Sequence, residues 1–227
     1  MQNSIQATIT QPSLNEAEQR WLSAWLEGPQ RTRWNILPPQ IGDLAPDIAL
    51  ADSDGAQVRL SDFWLRTPVV LVFLRHYGCS CTAGRIARLI DEVPQLEAAH
   101  AQVLCIGQGE PSRAQQFKLD RDLPAKLLCD PERRAYEAYG LLEGLPSQIV
   151  YDAPEEFLQR DAEAGTKLQL SRHGTPRVPV DSPWQMPGDV VIGRGGRIRL
   201  LHRPAYCDDY IDTRVLVAAL RESELSI

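Results

Sequence analysis

A chain of 227 residues, 43% of them hydrophobic, can bury one sizeable core but hardly two. Its formal net charge of −6 excludes the broad basic footprint that nucleic acid or an anionic membrane surface would demand. The opening MQNSIQATITQPS has no Lys or Arg and no long apolar run, so neither a secretory signal nor a membrane span is read there and a cytoplasmic protein is expected. Five cysteines, an odd count in a chain that needs no staples, fit a reducing compartment.

In chain order, Ser13 and Glu16 fit a capping box ahead of Leu14, Ala17, Trp21, Leu22, Trp25 and Leu26, which recur at helical spacing up to Gly28. This amphipathic helix is expected to lay its tryptophan face on the main domain, ahead of the alternative of a second subunit, and Pro38 and Pro39 close an extension over residues 1–40. Ile48 and Leu50, then Val58 and Leu60, alternate on either side of a DSDG turn and predict a hairpin. PVVLVFL is a wholly apolar, β-branched run, the pattern of a central strand covered on both faces. Ile86, Leu89, Ile90, Val93 and Leu96 mark a helix with a kink expected at Pro94. AQVLCIG, PSRAQQFKLDRD, AKLLCD and PERRAYEAYG then read as strand, helix, strand and helix, so the strands should run parallel with crossover helices.

From about 146 to 187 the pattern breaks, with six of the seventeen prolines and one helical piece, PEEFLQRDAEA, and this reads as an insertion or lid. GDVVIG and RIRLLHR flank Gly195 and Gly196 as a second hairpin, and a last helix is expected from about Asp208 to Glu222. The domain proper therefore spans 41–227 with the insertion inside it.

The stretch RHYGCSCT, just beyond the central strand, places Cys79 and Cys81 at a strand end with one serine between them. A thiolate is a far better nucleophile than a thiol, so a redox cysteine needs something to hold its charge. A helix starting near Ser80 would aim its unpaired N–H groups and dipole at the pair, and Arg75 and Arg85 would add positive charge. His76 is a candidate proton shuttle, although the alternation along the strand end favours its pointing elsewhere. Cys105 and Cys129 lie in apolar strand-like runs and read as core, and Cys207 in AYCDDY reads as loop or core ahead of the alternative of a third redox cysteine, with Asp208 and Asp209 opening the last helix. CSC with His76 offers at most three ligands, too few for a zinc or iron–sulfur site, so no metal is assigned. GQGEPS lacks the third glycine of a dinucleotide fingerprint, and GRGG is a turn between strands, so no nucleotide is assigned either.

A βαβ half followed by a ββα half, with cysteines after the first long buried strand, resembles the thioredoxin fold. IGDLAPDIALADSDGAQVRLSDF is similar to the opening of peroxiredoxins, and LPAKLLCDPERRAYEAYGL to their later strand and helix. FLRHYGC and MPGDVVIGRGGRIRLLHR are most similar to the selenoprotein-U-like branch of the alkyl hydroperoxide reductase and thiol-specific antioxidant superfamily. The resemblance spans roughly residues 41 to 220. It implies an α/β, three-layer, peroxiredoxin-type sandwich around a central mixed sheet, with the helical extension before it and the insertion ahead of the final hairpin and helix.

Two departures from the family pattern stand out. Cys79 occupies the place of the threonine that precedes the peroxidatic cysteine by three, and Thr82 stands where that cysteine belongs, with Cys81 one place early. Pro187 stands where peroxiredoxins carry an arginine before their late strand, a place in which thioredoxins have a proline against the cysteine pair. Arg75 or Arg85 would then have to supply the charge.

The resemblance implies a thiol oxidoreductase without metal or organic cofactor. In the first reading Cys81 attacks a peroxide and Cys79 resolves the sulfenic acid as a disulfide, with the opposite order left open. In the second the pair exchanges with a partner disulfide; a ring closed across one residue is expected to be easily reduced, which suits a disulfide donor or isomerase. In the third the chain is a binding or sensing module without turnover. The partners implied are a peroxide or disulfide substrate, a thioredoxin-like or low-molecular-weight thiol reductant, and a second copy of the chain.

Overall fold

Unbroken apolar runs build the centre of this fold, because a strand covered on both faces can present no polar side. In the computed structural model, which describes residues 14–149 and 181–221, the elements in chain order are α1 (Leu14–Glu27), β1 (Ala49–Asp52), β2 (Gln57–Arg59), α2 (Ser61–Trp64), β3 (Val69–Phe73), α3 (Ser80–Ala98), β4 (Gln102–Gly107), α4 (Pro111–Asp120), β5 (Lys126–Cys129), α5 (Arg134–Ala138), α6 (Pro146–Ile149), β6 (Gly188–Ile192), β7 (Ile198–His202) and α7 (Thr213–Arg221). The strands form one mixed sheet in the order β2-β1-β5-β4-β3-β6-β7. β3, β4 and β5 run parallel, and the other pairings are antiparallel.

Alternate residues of the sheet serve two cores, as a period of two requires. Val70, Val72, Val103, Cys105 and Leu127 face α3, α4 and α7 through Leu89, Phe117 and Leu216. Val69, Leu71, Phe73, Leu104 and Ile106 face the opposite side, where Leu60, Trp64, Tyr136 and Tyr139 cover them. Helices on both faces of a mixed sheet give the three layers expected of a thioredoxin-type fold. The Tyr136 hydroxyl ties the layer together at the end of β3 by donating to the carbonyls of Leu74 and Ile106.

Both hairpins stand where the alternation places them, Ala49 opposite Arg59 and Val190 opposite Leu201. Gly195 and Gly196 make the second turn with φ of 89° and 87°, a conformation that side-chain-bearing residues seldom adopt. α3 runs on through Pro94 to Ala98. The expected tryptophan face of α1 packs as the sequence suggests: Trp21 stacks on Trp25, and Trp25 on Trp184 at 4.4 Å between centroids. The Trp184 indole N–H donates to Ala24 O at 2.7 Å.

The last helix departs from expectation, because it begins at Thr213 and not at Asp208. Asp208 and Asp209 are occupied elsewhere, accepting from the Tyr210 hydroxyl and the Ala205 N–H. Asp212 takes the capping role instead, accepting from the Arg214 backbone N–H at 2.8 Å. The capping residue Ser13, the helical piece PEEFLQRDAEA and Glu222 lie outside the described residues. Among the described residues no helix is long and apolar enough to cross a membrane.

Candidate active site

β3 ends at Phe73, and the five residues 74–78 carry the chain from the strand end to Cys79, the N-cap of α3. Cys79 is extended, at φ −86° and ψ 136°, while its carbonyl already accepts from Ala83 N at 3.1 Å. Ser80, Cys81 and Thr82 form the first turn, so the pair sits at the helix end whose N–H groups lack intrahelical acceptors, although Cys79 Sγ takes no capping hydrogen bond from them. Tyr77 anchors the crossing: it stacks on Phe117 and lies over Gly107 and Gly109, where an added Cβ would fall 2.6 Å and 2.3 Å from its ring carbons.

Cys79 and Cys81 are joined as a disulfide with Cα atoms 5.3 Å apart. Both are buried, at 6% and 4% exposure, so a bulky partner has no direct approach to either sulfur. Arg75 lies beside them, 3% exposed. Its Nη1 donates to Cys79 Sγ at 2.8 Å and to Cys81 Sγ at 3.6 Å, its Nε to Gln185 O at 3.1 Å, and its Nη2 to Pro183 O. Burial pushes the Arg75 pKa down, opposed by the nearby Cys207, Tyr210 and Asp208. A guanidinium so placed favours negative charge on the sulfurs it touches.

Arg85 meets a different environment. It bonds Glu92 and Asp189, all three nearly fully buried. Burial works against its charge, but Asp189 and Glu92 more than offset this and hold the arginine well above its ordinary pKa. Its charge is thus matched by two carboxylates, and Arg75 is the cation that addresses the sulfurs.

A cavity of about 10 Å³, room for about one water centre, opens beside Cys81 and is lined by Arg75, Thr82, Arg85 and Pro187 among others. Cys79 does not line it. The Thr82 hydroxyl is buried without a hydrogen-bonding partner among the described residues. His76 is buried too, but its contribution here is the carbonyl that accepts from Cys79 N at 3.1 Å, and its ring does not line the cavity. The structure therefore brings Cys81, Thr82, Arg75, Arg85 and Pro187 together, sets Cys79 behind Cys81, and leaves His76 aside.

Two contributions were missed by reading the sequence. One is the strip DSPWQMP, which supplies the carbonyls that orient Arg75. Its place is set by Gln185, whose amide donates to the Leu141 and Leu142 carbonyls, and by the Trp184 stack. The other is the setting of Cys207, which is buried, as the core alternative has it, and clusters with Cys79, Cys81 and the half-buried Tyr210. Its signal was that, unlike Cys105 and Cys129, it has no apolar run around it to explain its burial. Those two are core cysteines, and burial pushes both thiols up to about 12.

A thioredoxin-type sheet with a cysteine pair at the N-terminus of its long helix defines a thiol-redox scaffold. The chain belongs to the AhpC/TSA family, whose model matches residues 41–160. It is 31% identical over 104 residues to Peroxiredoxin Bcp of Escherichia coli K12, covering 46% of this chain and 66% of that one. It is 25% identical over 156 residues to Thioredoxin-like protein AAED1, chloroplastic, of Arabidopsis thaliana, covering 67% of this chain and 61% of the other. The match thus spans no more than about two-thirds of either relative. Among solved structures, Peroxidoxin BcpB from Mycobacterium tuberculosis superposes with a TM-score of 0.57 at 18% identity, over 81% of this chain and 97% of that one, a likeness of fold.

Proposed function

We propose that the protein is a thiol peroxidase that reduces hydrogen peroxide or organic hydroperoxides with Cys81 as the attacking thiolate. The observation that carries this reading is that Cys81, and not Cys79, lines the small cavity together with Arg75, Thr82 and Pro187. The Cys81 thiolate attacks the O–O bond and becomes a sulfenic acid, while the distal oxygen leaves as water or an alcohol after gaining a proton. Cys79 then attacks the sulfenic sulfur, expelling water and forming the Cys79–Cys81 disulfide. Arg75 favours the thiolate before attack and polarises the peroxide during it. That guanidinium arrives from the end of β3 and not from the position before β6, where Pro187 stands, so the family's charge is supplied from another strand.

Membership of the AhpC/TSA family and likeness to Peroxiredoxin Bcp support a peroxidase over a binding module. Burial of both sulfurs favours a small substrate over direct exchange with a protein disulfide. The same reading assigns a cytoplasmic, reducing setting, recycling by a low-molecular-weight thiol that can enter the site or by a thioredoxin-like protein once local opening exposes the buried disulfide, a homodimer, and an N-terminal extension of residues 1–40 whose helix α1 braces the site loop.

The test is to mix reduced protein with stoichiometric hydrogen peroxide, follow thiol loss, and map the oxidised residues by mass spectrometry. Loss confined to the site cysteines, orders of magnitude faster than free cysteine and abolished by Cys81→Ser, is the expected result. Loss no faster than free cysteine would remove peroxide as the substrate.

A further inference from the structure

Cys207 enters the site from the segment between β7 and α7. Its Sγ, the Sγ of Cys81 and a carboxylate oxygen of Asp208 all lie within 4.8 Å of one another. The placement is fixed from several sides. Cys207 N donates to Gln148 O at 2.9 Å, its thiol donates to Ile149 O at 3.1 Å, and the Gln148 amide donates to Ala205 O. The Tyr210 hydroxyl reaches across to the Cys81 carbonyl, pinning this segment to the first turn of α3. Arg75 is near enough for Cys207 to be felt at its guanidinium as well.

We propose that Cys207 is a third redox thiol of this site, which takes Cys81 from Cys79 by thiol–disulfide exchange. The inference rests on reading Cys79 and Cys81 as the redox pair. The Cys207 thiol gives its proton to water by way of the adjacent Asp208 carboxylate, and its thiolate attacks Cys81 Sγ. The Cys81–Cys207 bond forms as the Cys79–Cys81 bond breaks, and the electron pair leaves on Cys79. No oxidant or reductant is consumed. Exchange is faster the better the leaving thiolate is stabilised, and Cys79 departs 2.8 Å from the Arg75 guanidinium. Cys105 and Cys129 have no such role, since they lie within the sheet and burial opposes their ionisation.

The exchange leaves a thiolate at Cys79 while the oxidising equivalent is held between α3 and the segment before α7. A site with two alternative disulfides sharing one sulfur can thus be oxidised and still present a free thiolate.

Tryptic mapping separates the two isomers. Residues 76–85 form one peptide carrying both Cys79 and Cys81, so their disulfide stays within it. Cys207 falls in residues 200–214, Arg203 being protected from cleavage by Pro204, so its disulfide cross-links two peptides. Reduced Cys79→Ser protein is treated with one equivalent of diamide, quenched in acid, alkylated and digested. The expected result is concerted loss of the Cys81 and Cys207 thiols and a cross-link within one chain. A Cys207 that stays alkylatable, or a link only between chains, would overturn the proposal. Should that variant not fold, diamide-oxidised wild type held at mildly alkaline pH decides: both isomers are expected, and the intra-peptide disulfide alone would overturn the proposal. Diamide needs no peroxidase site, so failure here is distinct from failure with hydrogen peroxide.

Discussion

Arg75 Nη1 stands 2.8 Å from Cys79 Sγ and 3.6 Å from Cys81 Sγ, so a single buried cation serves both sulfurs of the pair. Its remaining hydrogen bonds go to backbone carbonyls, which orient it without cancelling its charge. Replacing it by methionine should therefore lower reactivity more than stability. In Arg75→Met, alkylation of the reduced pair at neutral pH is expected to slow by roughly tenfold or more. Loss of the carbonyl partners should cost about 1–3 kcal/mol in denaturant unfolding. Unchanged alkylation kinetics in a folded variant would show that the helix N-terminus alone activates the thiols.

Arg85 should behave in the opposite sense. Arg85→Met strands the carboxylates of Glu92 and Asp189 inside the protein. Breaking a buried pair in this way costs about 3–5 kcal/mol, measurable as a lower urea midpoint. A double variant that also replaces Asp189 by Asn should recover part of that loss.

Trp184 links α1 to the strip beside Arg75, stacking on Trp25 two positions before Met186 and one after Pro183. Trp184→Ala is expected to destabilise the protein by about 3–5 kcal/mol. It should also free α1 to limited proteolysis and slow thiol alkylation, because the strip that holds Arg75 loses its brace. Cleavage patterns identical to wild type would separate the extension from the site.

Glu143 gathers the Gln30 and Arg31 N–H groups, the Arg133 guanidinium and the Ser182 hydroxyl around a carboxylate that is 7% exposed. Burial raises its pKa, but the Gln30 N–H, Arg133 and the Arg31 N–H outweigh it and hold the carboxyl below its ordinary 4.5. A depressed folded pKa means the unfolded chain takes up protons first, so this stabilisation is present above the ordinary value and is lost as pH falls through the folded one. Glu143→Gln should cost about 1–3 kcal/mol at about pH 7. The gap to wild type should shrink on acidification below the ordinary value, and a gap independent of pH would assign the effect to shape alone.

Cys105 and Cys129 are expected to stay unmodified when native reduced protein is alkylated at neutral pH, since burial pushes both thiols up to about 12. Cys105→Ala should lose about 1 kcal/mol and leave the rate of thiol loss to peroxide as in wild type. A slower rate would tie the sheet interior to the site.

What was legible in the chain is local or periodic. The run Val69–Phe73, the alternation about the DSDG turn and the cysteines at a strand end each announce themselves within a few residues. The choice between Arg75 and Arg85 was not legible, because it depends on Asp189, 104 positions beyond Arg85, and on carbonyls over a hundred positions beyond Arg75. The neighbours of Cys207 were not legible for the same reason: nothing in AYCDDY shows that the segment packs against the first turn of α3. The start of α7 was misread because Asp208 and Asp209 look like caps until their tertiary partners take them.

The carbonyl of Pro183 that clamps Arg75 lies 108 positions further along the chain, so the contact closes a very long loop. Such contacts form late, since loop closure must precede any gain from them. During synthesis, a ribosome that has released Cys79 and Cys81 has yet to make the strip that orients their cation. The hold on Arg75 thus comes into being only once residues 183–185 have emerged and docked.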